Sequence, residues 1–298
     1  MAEAVAVSQA RTDRWALAVL LAGACIIGLS PILVRLTEAG SAAAGFWRLA
    51  FALPLLAILN VRATGAIGRP PKMALWAGLF FALDLGFWHY GIHYTSVTNA
   101  TVLSNLTPVV VTAFAWIFLK QRPKALFLVA VAAGVGGAWL MAFEKGGGNL
   151  VNQPLGDALS LFTALWYALY FLTMAEGRKT ETTSRLMFWV SVVGAPLTLA
   201  AALLLREPIF PTSALGWGAL VGLGLMHVTG QGSIAWAMGK LPTSTASVVV
   251  LIQPIVAAYL GWLLFAELIG PLQALGAVVT LIGVVLAQWA TRKPAATP

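Results

Sequence analysis

Charged residues are scarce in this chain of 298 residues, because Asp, Glu, Lys and Arg together make up only 9% of it. Residues of the AVILMFWYC set make up 60%, and the mean hydropathy is +0.87. About one-quarter of the residues in soluble domains are charged. This chain has too few charged residues to cover a surface that faces water. Cysteine is nearly absent too. The single Cys25 excludes an intrachain disulfide and any metal site built from several cysteines.

The sequence motifs of common enzyme classes are also missing. There is no P-loop, no GxSxG nucleophile elbow and no HExxH zinc motif. One enzymatic alternative is an intramembrane serine hydrolase that uses Ser233 with His227, but these two residues lie six apart on one predicted helix and point in different directions. The sequence therefore predicts a protein that is not an enzyme and has no cofactor.

Long apolar runs recur along the whole chain. A helix needs about 20 residues to cross the hydrocarbon core of a bilayer, and ten such runs are separated by short polar connections. The sequence thus predicts an all-α polytopic membrane protein with ten transmembrane helices, which we call spans 1 to 10. Their predicted bounds are 15–36, 43–61, 73–93, 96–118, 125–143, 155–175, 185–205, 213–237, 244–265 and 271–290.

Lys and Arg are unequally divided between the two sides that these spans define. Of the 18 in the chain, 14 lie on the side of the N-terminus, and only Arg35, Arg48, Lys145 and Arg206 lie on the other. Cytoplasmic loops accumulate Lys and Arg, so both termini are predicted to be cytoplasmic, in a bacterial inner membrane. The net charge of +8 is attributed to this topology, and no nucleic-acid partner is predicted.

The two halves of the chain resemble each other. The matching positions, displaced by 142 residues between spans 2 and 7 and by 146 between spans 4 and 9, are Phe46-Trp47 with Phe188-Trp189, Pro54-Leu55 with Pro196-Leu197, Pro108 with Pro254, and Trp116 with Trp262. Five helices are an odd number, so the second unit must enter the membrane inverted relative to the first. Inverted repeats place a binding site near the midplane and permit alternating access. The predicted domains are a cytoplasmic tail at 1–14, the first repeat at 15–148, the second at 149–290 and a tail at 291–298.

This pattern carries a family resemblance. The five-plus-five plan, the aromatic openings of spans 2 and 7, the mid-helix prolines of spans 4 and 9, and Phe265-Ala266-Glu267 before a glycine-rich last span resemble the drug/metabolite transporter superfamily, EamA type. Within it, the chain looks most similar to bacterial exporters of aromatic amino acids. The resemblance implies a ten-helix basket whose central cavity is lined mainly by spans 1, 3, 4, 6, 8 and 9. One departure is Gln121 at the position after span 4 that corresponds to Glu267.

Ionisable side chains at membrane depth cost about 2.5–3.5 kcal/mol on insertion scales, so the few in the spans are candidate site residues. Asp84 of span 3 and His227 of span 8 fall near the midplane. They are predicted to meet or to share a water-filled cavity, and separate neutral core contacts are the alternative. Because histidine exchanges protons near neutral pH, protons are the first coupling ion to test. Arg48 is expected to extend outward or to pair with Glu38.

Hydroxyl and amide side chains precede the prolines of spans 4 and 9. The candidates are Thr101 and Asn105 before Pro108, and Ser244 and Ser247 before Pro254. Proline frees a backbone carbonyl one turn earlier, so these groups suit an ammonium or amide ligand. Hydrogen bonding between helices is the alternative. Pro108, Pro254 and Gly224 are candidate hinge or gating positions.

Span 6 places aromatic side chains near the middle of the membrane. Trp166 and Tyr170 are four residues apart on one helical face, and Tyr167 is beside them. An aromatic wall suits a neutral or zwitterionic ligand with an apolar side chain, while core packing is the alternative. Trp88 and Gln231 complete the candidate binding residues.

These features predict a secondary transporter that exports small metabolites, above all amino acids including aromatic and apolar ones, by alternating access. Two alternatives within the superfamily are open. An antiporter of sugar phosphates or nucleotide sugars would call for Lys or Arg in the cavity, and the other alternative is a broad drug exporter. The expected partners are a small-molecule substrate and the lipid bilayer. The coupling ion, the physiological direction and the oligomeric state are left open.

Overall fold

The computed structural model describes residues 2–104, 106–119, 124–143, 152–241, 246–247, 249–250, 252–266 and 269–291. Ten helical spans follow one another along the chain, and the described residues contain no β-strand, so the predicted fold class is confirmed. The helices are α1 (Ala2–Gly28), α2 (Ser30–Leu36), α3 (Ser41–Thr64), α4 (Lys72–Tyr94), α5 (Val97–Ser104), α6 (Thr107–Leu119), α7 (Ala125–Phe143), α8 (Gln153–Gly177), α9 (Thr183–Leu204), α10 (Ala214–Met226), α11 (Gly232–Met238), α12 (Ile252–Phe265) and α13 (Pro271–Thr291).

The outer surface of the bundle is apolar. Large side chains such as Leu204, Ile117 and Trp15 are more than half exposed, as expected where a helix faces lipid instead of water. Among the described residues, four segments are long and apolar enough to cross a membrane: Arg14–Leu36, Ser41–Thr64, Gln153–Gly177 and Thr183–Leu204. They correspond to predicted spans 1, 2, 6 and 7.

Four spans are interrupted near the centre of the bundle. Span 1 changes from α1 to α2 at Leu29, and span 4 changes from α5 to α6 just before Pro108. Span 8 contains a π-helical turn between α10 and α11, and span 9 has a turn at Val250 before α12. Proline cannot donate the intrahelical hydrogen bond, which explains the breaks in spans 1 and 4. Backbone groups freed at such breaks are available to a ligand.

Helix packing obeys a twofold relation between the halves. Equivalent spans pack on each other: α3 on α9, α7 on α13, and α5 on α12. The contact between α4 and α8 (spans 3 and 6) is equivalent to the contact between spans 8 and 1. Likewise, the contact between α4 and α9 (spans 3 and 7) is equivalent to the contact between α10 and α3 (spans 8 and 2). This exchange of contacts is what two inverted repeats produce, and spans 5 and 10 pack on each other. The family resemblance implies a peripheral position for these two spans.

The closest helix contacts depend on glycine. A Cβ atom at Gly283 of α13 would lie 2.6 Å from the backbone nitrogen of Gly134 on α7, and one at Gly137 would lie 2.6 Å from the carbonyl oxygen of Gly276. Gly224, a predicted hinge, has a similar role, because its Cβ would come within 2.5 Å of the Cβ of Phe51 on α3. Small residues let helix backbones touch in a membrane. The interruption of span 8 begins three residues later, at His227.

Candidate functional site

A cavity of about 40 Å³, with both polar and apolar side chains in its wall, lies between the helices. One buried water needs about 10–15 Å³ by this measure, so the cavity has room for about three waters. Its walls come from spans 1, 3, 4, 6, 8 and 9, as the resemblance implies, and from span 2 in addition. The lining residues are Ile27, Pro31, Arg48, Phe81, Asp84, Leu85, Trp88, Ser104, Thr163, Tyr167, Gln231 and Gln253.

Arg48 is the cation of this cavity, and its position corrects the expectation that it extends outward or pairs with Glu38. Its side chain is buried, its Nη1 donates a hydrogen bond to Ser30 Oγ at 3.1 Å, and its Cζ lies 5.6 Å from the ring centroid of Phe81. Glu38 is not free to pair with it, because the Glu38 carboxylate accepts hydrogen bonds from Thr212 and Ser213. The guanidinium therefore points toward the centre of the bundle.

Asp84 contributes a carboxylate to the same cavity. It is 7% exposed and lines the same small cavity as Arg48. Among the residues that the structure describes, its carboxyl group forms no hydrogen bond and no ion pair. A buried carboxyl group normally has such partners. The cavity thus contains one guanidinium and one carboxyl group that are not in direct contact.

Five further polar side chains belong to the wall: Ser104, Thr163, Tyr167, Gln231 and Gln253. The amide groups of Gln231 and Gln253 approach the hydroxyl of Tyr167. The Nε2 atoms of both glutamines are buried and, within the described part of the chain, lack a hydrogen bond of ordinary geometry. Gln231 ends the π-helical turn of span 8, a local structure that is common at functional sites. The cavity therefore contains several groups that can still form hydrogen bonds with a ligand.

His227 does not meet Asp84, and it is not part of the cavity wall. Its Nε2 lies 3.2 Å from Ser191 Oγ, and the Ser191 hydroxyl lies 2.9 Å from the carbonyl oxygen of Met187. A hydroxyl has one proton, so Ser191 donates to Met187 while the Nε2–H of His227 donates to Ser191. In this tautomer the histidine does not accept the serine proton, and the pair is no activated nucleophile.

The aromatic residues of span 6 are rotated relative to the prediction. Tyr167 lines the cavity, whereas Trp166 is not in its lining and packs against Phe80 and Phe87, with ring centroids 6.5 and 6.1 Å apart. Tyr170 is buried outside the lining, 4.7 Å from Phe81. The expectation that Trp166 forms the aromatic wall is therefore corrected, because one residue along a helix turns a side chain by about 100°.

The remaining predicted residues divide into three groups. Trp88 lies in the lining, and Pro108 is buried at the start of α6. Ser247 is buried but is not in the lining. Those outside the described residues or with undescribed side chains are Thr101, Asn105, Ser244 and Pro254. Gln253, which shares the polar stretch of span 9 with Ser244 and Ser247, lies in the lining. Sequence reasoning did not select Arg48, Ser104 or Thr163 as site residues, although an arginine in a transmembrane helix is itself a signal of a functional site.

At the end of the bundle that carries the loops after spans 1 and 7, predicted to face outward, each half of the molecule caps a helix of the other. Glu38, in the loop after span 1, accepts hydrogen bonds from the backbone N–H groups of Thr212 and Ser213 at the start of α10, both at 3.0 Å. Glu207, in the loop before span 8, accepts from the N–H groups of Ala42 and Ala43 at 2.9 and 3.0 Å, at the start of α3. The Tyr90 hydroxyl also donates to Glu207. We call these contacts the reciprocal caps.

Solved structures show that this fold has precedent. A crystal structure that covers 93% of this chain and 97% of its own superposes with a TM-score of 0.67, at 15% sequence identity. At this identity the similarity concerns the fold alone.

Two of three similar proteins are transporters or exporters by name. An uncharacterized transporter of Archaeoglobus fulgidus is 25% identical over 93% of this chain and 97% of its own length. The pseudopaline exporter CntI of Pseudomonas aeruginosa is 23% identical over 80% of this chain and 82% of its own. A WAT1-related protein of Arabidopsis thaliana is 25% identical over 74% and 66% of the two chains.

Both halves of the chain, residues 14–143 and 154–289, match the model of the EamA-like transporter family. The two matched segments correspond to the two five-helix units that the packing pattern defines. Members of this family are transporters and not enzymes, and the intramembrane hydrolase alternative is thereby set aside. The chain belongs to the EamA-like transporter family.

Proposed function

We propose that this transporter exports small amino-acid-like zwitterions, including those with aromatic or apolar side chains, by alternating access of its two repeats. The observation that carries the proposal is the presence of Arg48 and Asp84 in one buried cavity without a direct contact between them. A zwitterion has a carboxylate for the guanidinium and an ammonium for the aspartate. Arg–carboxylate pairs are often bidentate and strong, and the ligand would give both buried charges a partner.

The charge balance also separates the proposed substrates from the alternatives. The cation and the anion of the lining sum to zero, so a net-neutral ligand leaves no uncompensated charge in the bundle. A sugar phosphate or nucleotide sugar would place its negative charges beside Asp84 as well as Arg48, and a buried unpaired charge is costly. Arg48 supplies the basic residue that such anions call for, so the argument against them rests on the carboxyl group of Asp84.

Apolar contacts favour a ligand with a hydrophobic side chain. Ile27, Phe81, Leu85 and Trp88 line the cavity beside the charged pair. Aromatic and aliphatic walls with a few polar groups are typical of sites for small organic ligands. Tyr167 and the two glutamines can hydrogen-bond the polar end of such a ligand.

The cavity volume supports a cycle in which the repeats must move for the substrate to bind. The cavity of about 40 Å³ is too small for an amino acid, and the reciprocal caps join the two halves at one end. Opening therefore requires movement of one repeat against the other, which inverted repeats permit. Export from the cytoplasm of a bacterial inner membrane, with both termini cytoplasmic, is supported by the Lys and Arg distribution and by the exporter name of one relative.

Counterflow in proteoliposomes tests this function. Vesicles loaded with unlabelled amino acids should accumulate labelled phenylalanine transiently. Asp84→Asn should reduce this accumulation at least about tenfold, the equivalent of one charged hydrogen bond. Trp166→Ala is the matched control, because Trp166 packs outside the lining, and it should keep most of the activity. Absence of counterflow with every amino acid tested would refute the proposal and would direct the search to other metabolites.

A further inference from the structure

We infer that Arg48 is the specificity-determining residue for a substrate carboxylate and that carboxylate binding releases Ser30, which links recognition to the break in span 1. This inference rests on the proposed function and deepens it. It begins with the unused capacity of the guanidinium. Arginine has five N–H donors, and among the described residues Arg48 makes one hydrogen bond, to Ser30, while its Nε is buried without a partner.

The single acceptor is weak compared with a carboxylate. A neutral hydroxyl accepts one hydrogen bond from the Arg48 Nη1, whereas a carboxylate accepts two parallel ones, and charge-assisted bonds are about twice as strong. A carboxylate that enters the cavity therefore replaces Ser30 as the partner of Nη1. Asp84 leaves this position open because, within the described residues, its carboxylate makes no ion pair with the guanidinium. Asp84 takes the ammonium end.

Ser30 lies at the junction of α1 and α2 in span 1. It is the first residue of α2, directly after the interruption at Leu29, and its side chain is fully buried. The adjacent Pro31 lines the cavity and lies in the first turn of α2. The bond from Arg48 therefore joins span 2 to the junction of α1 and α2 in span 1. Loss of that bond removes one restraint on this junction.

Helix α2 carries this change to the outer end. It ends at Leu36, next to Thr37 and Glu38, and Glu38 caps the start of α10 in the other repeat. Arg35, in the last turn of α2, donates to the carbonyl oxygens of Ile92 and Thr95 at the end of span 3. A rotation of α2 thus acts on contacts that close the outer end. Substrate occupancy and outer opening are coupled through one short helix.

Substrate analogues test the first half of the inference. Inhibition of phenylalanine counterflow is measured with phenylalanine and with phenethylamine, which lacks the carboxylate, on wild type and on Arg48→Gln. Wild type should prefer phenylalanine by about 10- to 100-fold, and Arg48→Gln should bind both compounds about equally. The same preference in the folded variant would overturn the inference while leaving the proposed function intact. No wild-type counterflow with any amino acid would instead refute the proposed function.

Ser30→Ala tests the second half and does not depend on the fate of Arg48 variants. Removal of the competing hydroxyl should lower the half-saturating phenylalanine concentration about two- to tenfold. It should also lower the maximal rate, because substrate binding no longer breaks a hydrogen bond between Arg48 and residue 30. Ser160→Ala is the matched control: Ser160 is also fully buried, bonds the carbonyl oxygen of Gly156 at 2.7 Å and lies outside the cavity. Identical kinetics of the two variants would overturn the link to span 1.

Discussion

The carboxylate of Glu38 accepts a hydrogen bond from the backbone N–H of Ser213 at 3.0 Å, across 175 residues of sequence. The two residues belong to different repeats, so this contact joins a loop of the first half to the start of α10 in the second. Carboxylates at helix N-termini are favourable because the first N–H groups of a helix have no partner within it. Glu207 makes the equivalent contact in the opposite sense.

Acid should weaken the Glu38 cap. Hydrogen bonds from Ser213 and Thr212 lower the pKa of Glu38 below its usual value of 4.5. A group with a lowered pKa contributes stability that is complete above its unfolded-state pKa and is lost as the pH falls through the folded-state pKa. Thermal unfolding of the purified protein should therefore show a higher Tm for wild type than for Glu38→Gln at pH 7, with a difference that shrinks toward pH 3. A Tm difference that does not change with pH would contradict a stabilising role for the ionised Glu38 carboxylate.

Glu207→Ala should destabilise the protein and loosen its outer end. The variant loses the acceptor for two N–H groups at the start of α3, and helix caps are typically worth about 1 kcal/mol. Thermal unfolding should register this loss. A cysteine introduced at Trp88, in the cavity lining, should also react faster with a membrane-impermeant reagent added from the outside in the Glu207→Ala background. Unchanged labelling would show that the cap does not control access.

The contact between α7 and α13 should not tolerate a single added methyl group at Gly283. Its Cβ would lie 2.6 Å from a backbone nitrogen of the facing helix, so the helices must separate. Overpacking of this kind costs about 1–3 kcal/mol. Gly136→Ala is the control on the same pair of helices, since nothing lies within 4 Å of a Cβ at Gly136. Equal Tm values for Gly283→Ala and Gly136→Ala would contradict the close approach.

Ser191→Ala should affect stability more than transport affinity. It leaves the Nε2–H of His227 without an acceptor, and a buried unsatisfied donor costs about 1–3 kcal/mol. Neither residue lines the cavity, so the half-saturating substrate concentration should change less than about twofold. A large rise in that concentration, with an unchanged Tm, would instead place His227 in the binding machinery.

Much of the architecture can be predicted from the sequence, because hydropathy and the internal repeat are properties of whole helices. The ten spans follow from the apolar runs, and the two repeats follow from the displaced match between the halves. The spans that line the cavity and the peripheral position of spans 5 and 10 are what the family resemblance implies. Rotation of a helix about its axis does not follow from them. Trp166 and Tyr167 are neighbours in sequence, yet only the second lines the cavity, because the facing side chains of α4 decide which side of α8 turns inward.

The polar partners were harder to anticipate for a similar reason. The Glu38 carboxylate was available to Arg48 on the basis of sequence distance, but unsatisfied N–H groups at the start of α10 occupy it. Ser191 lies 36 residues from His227, and nothing in a single sequence links the two. Partners of this kind depend on how helices from different parts of the chain come together, which periodicity alone does not encode.

The small volume of the central cavity has a consequence for physiology. A substrate that binds only when the repeats separate uses part of its binding free energy for that separation. The apparent affinity is therefore low even when every polar contact is made. A carrier with this property responds to concentration over a high range. Under the proposed export, transport is slow while the internal concentration of the cargo is low and accelerates as that concentration rises.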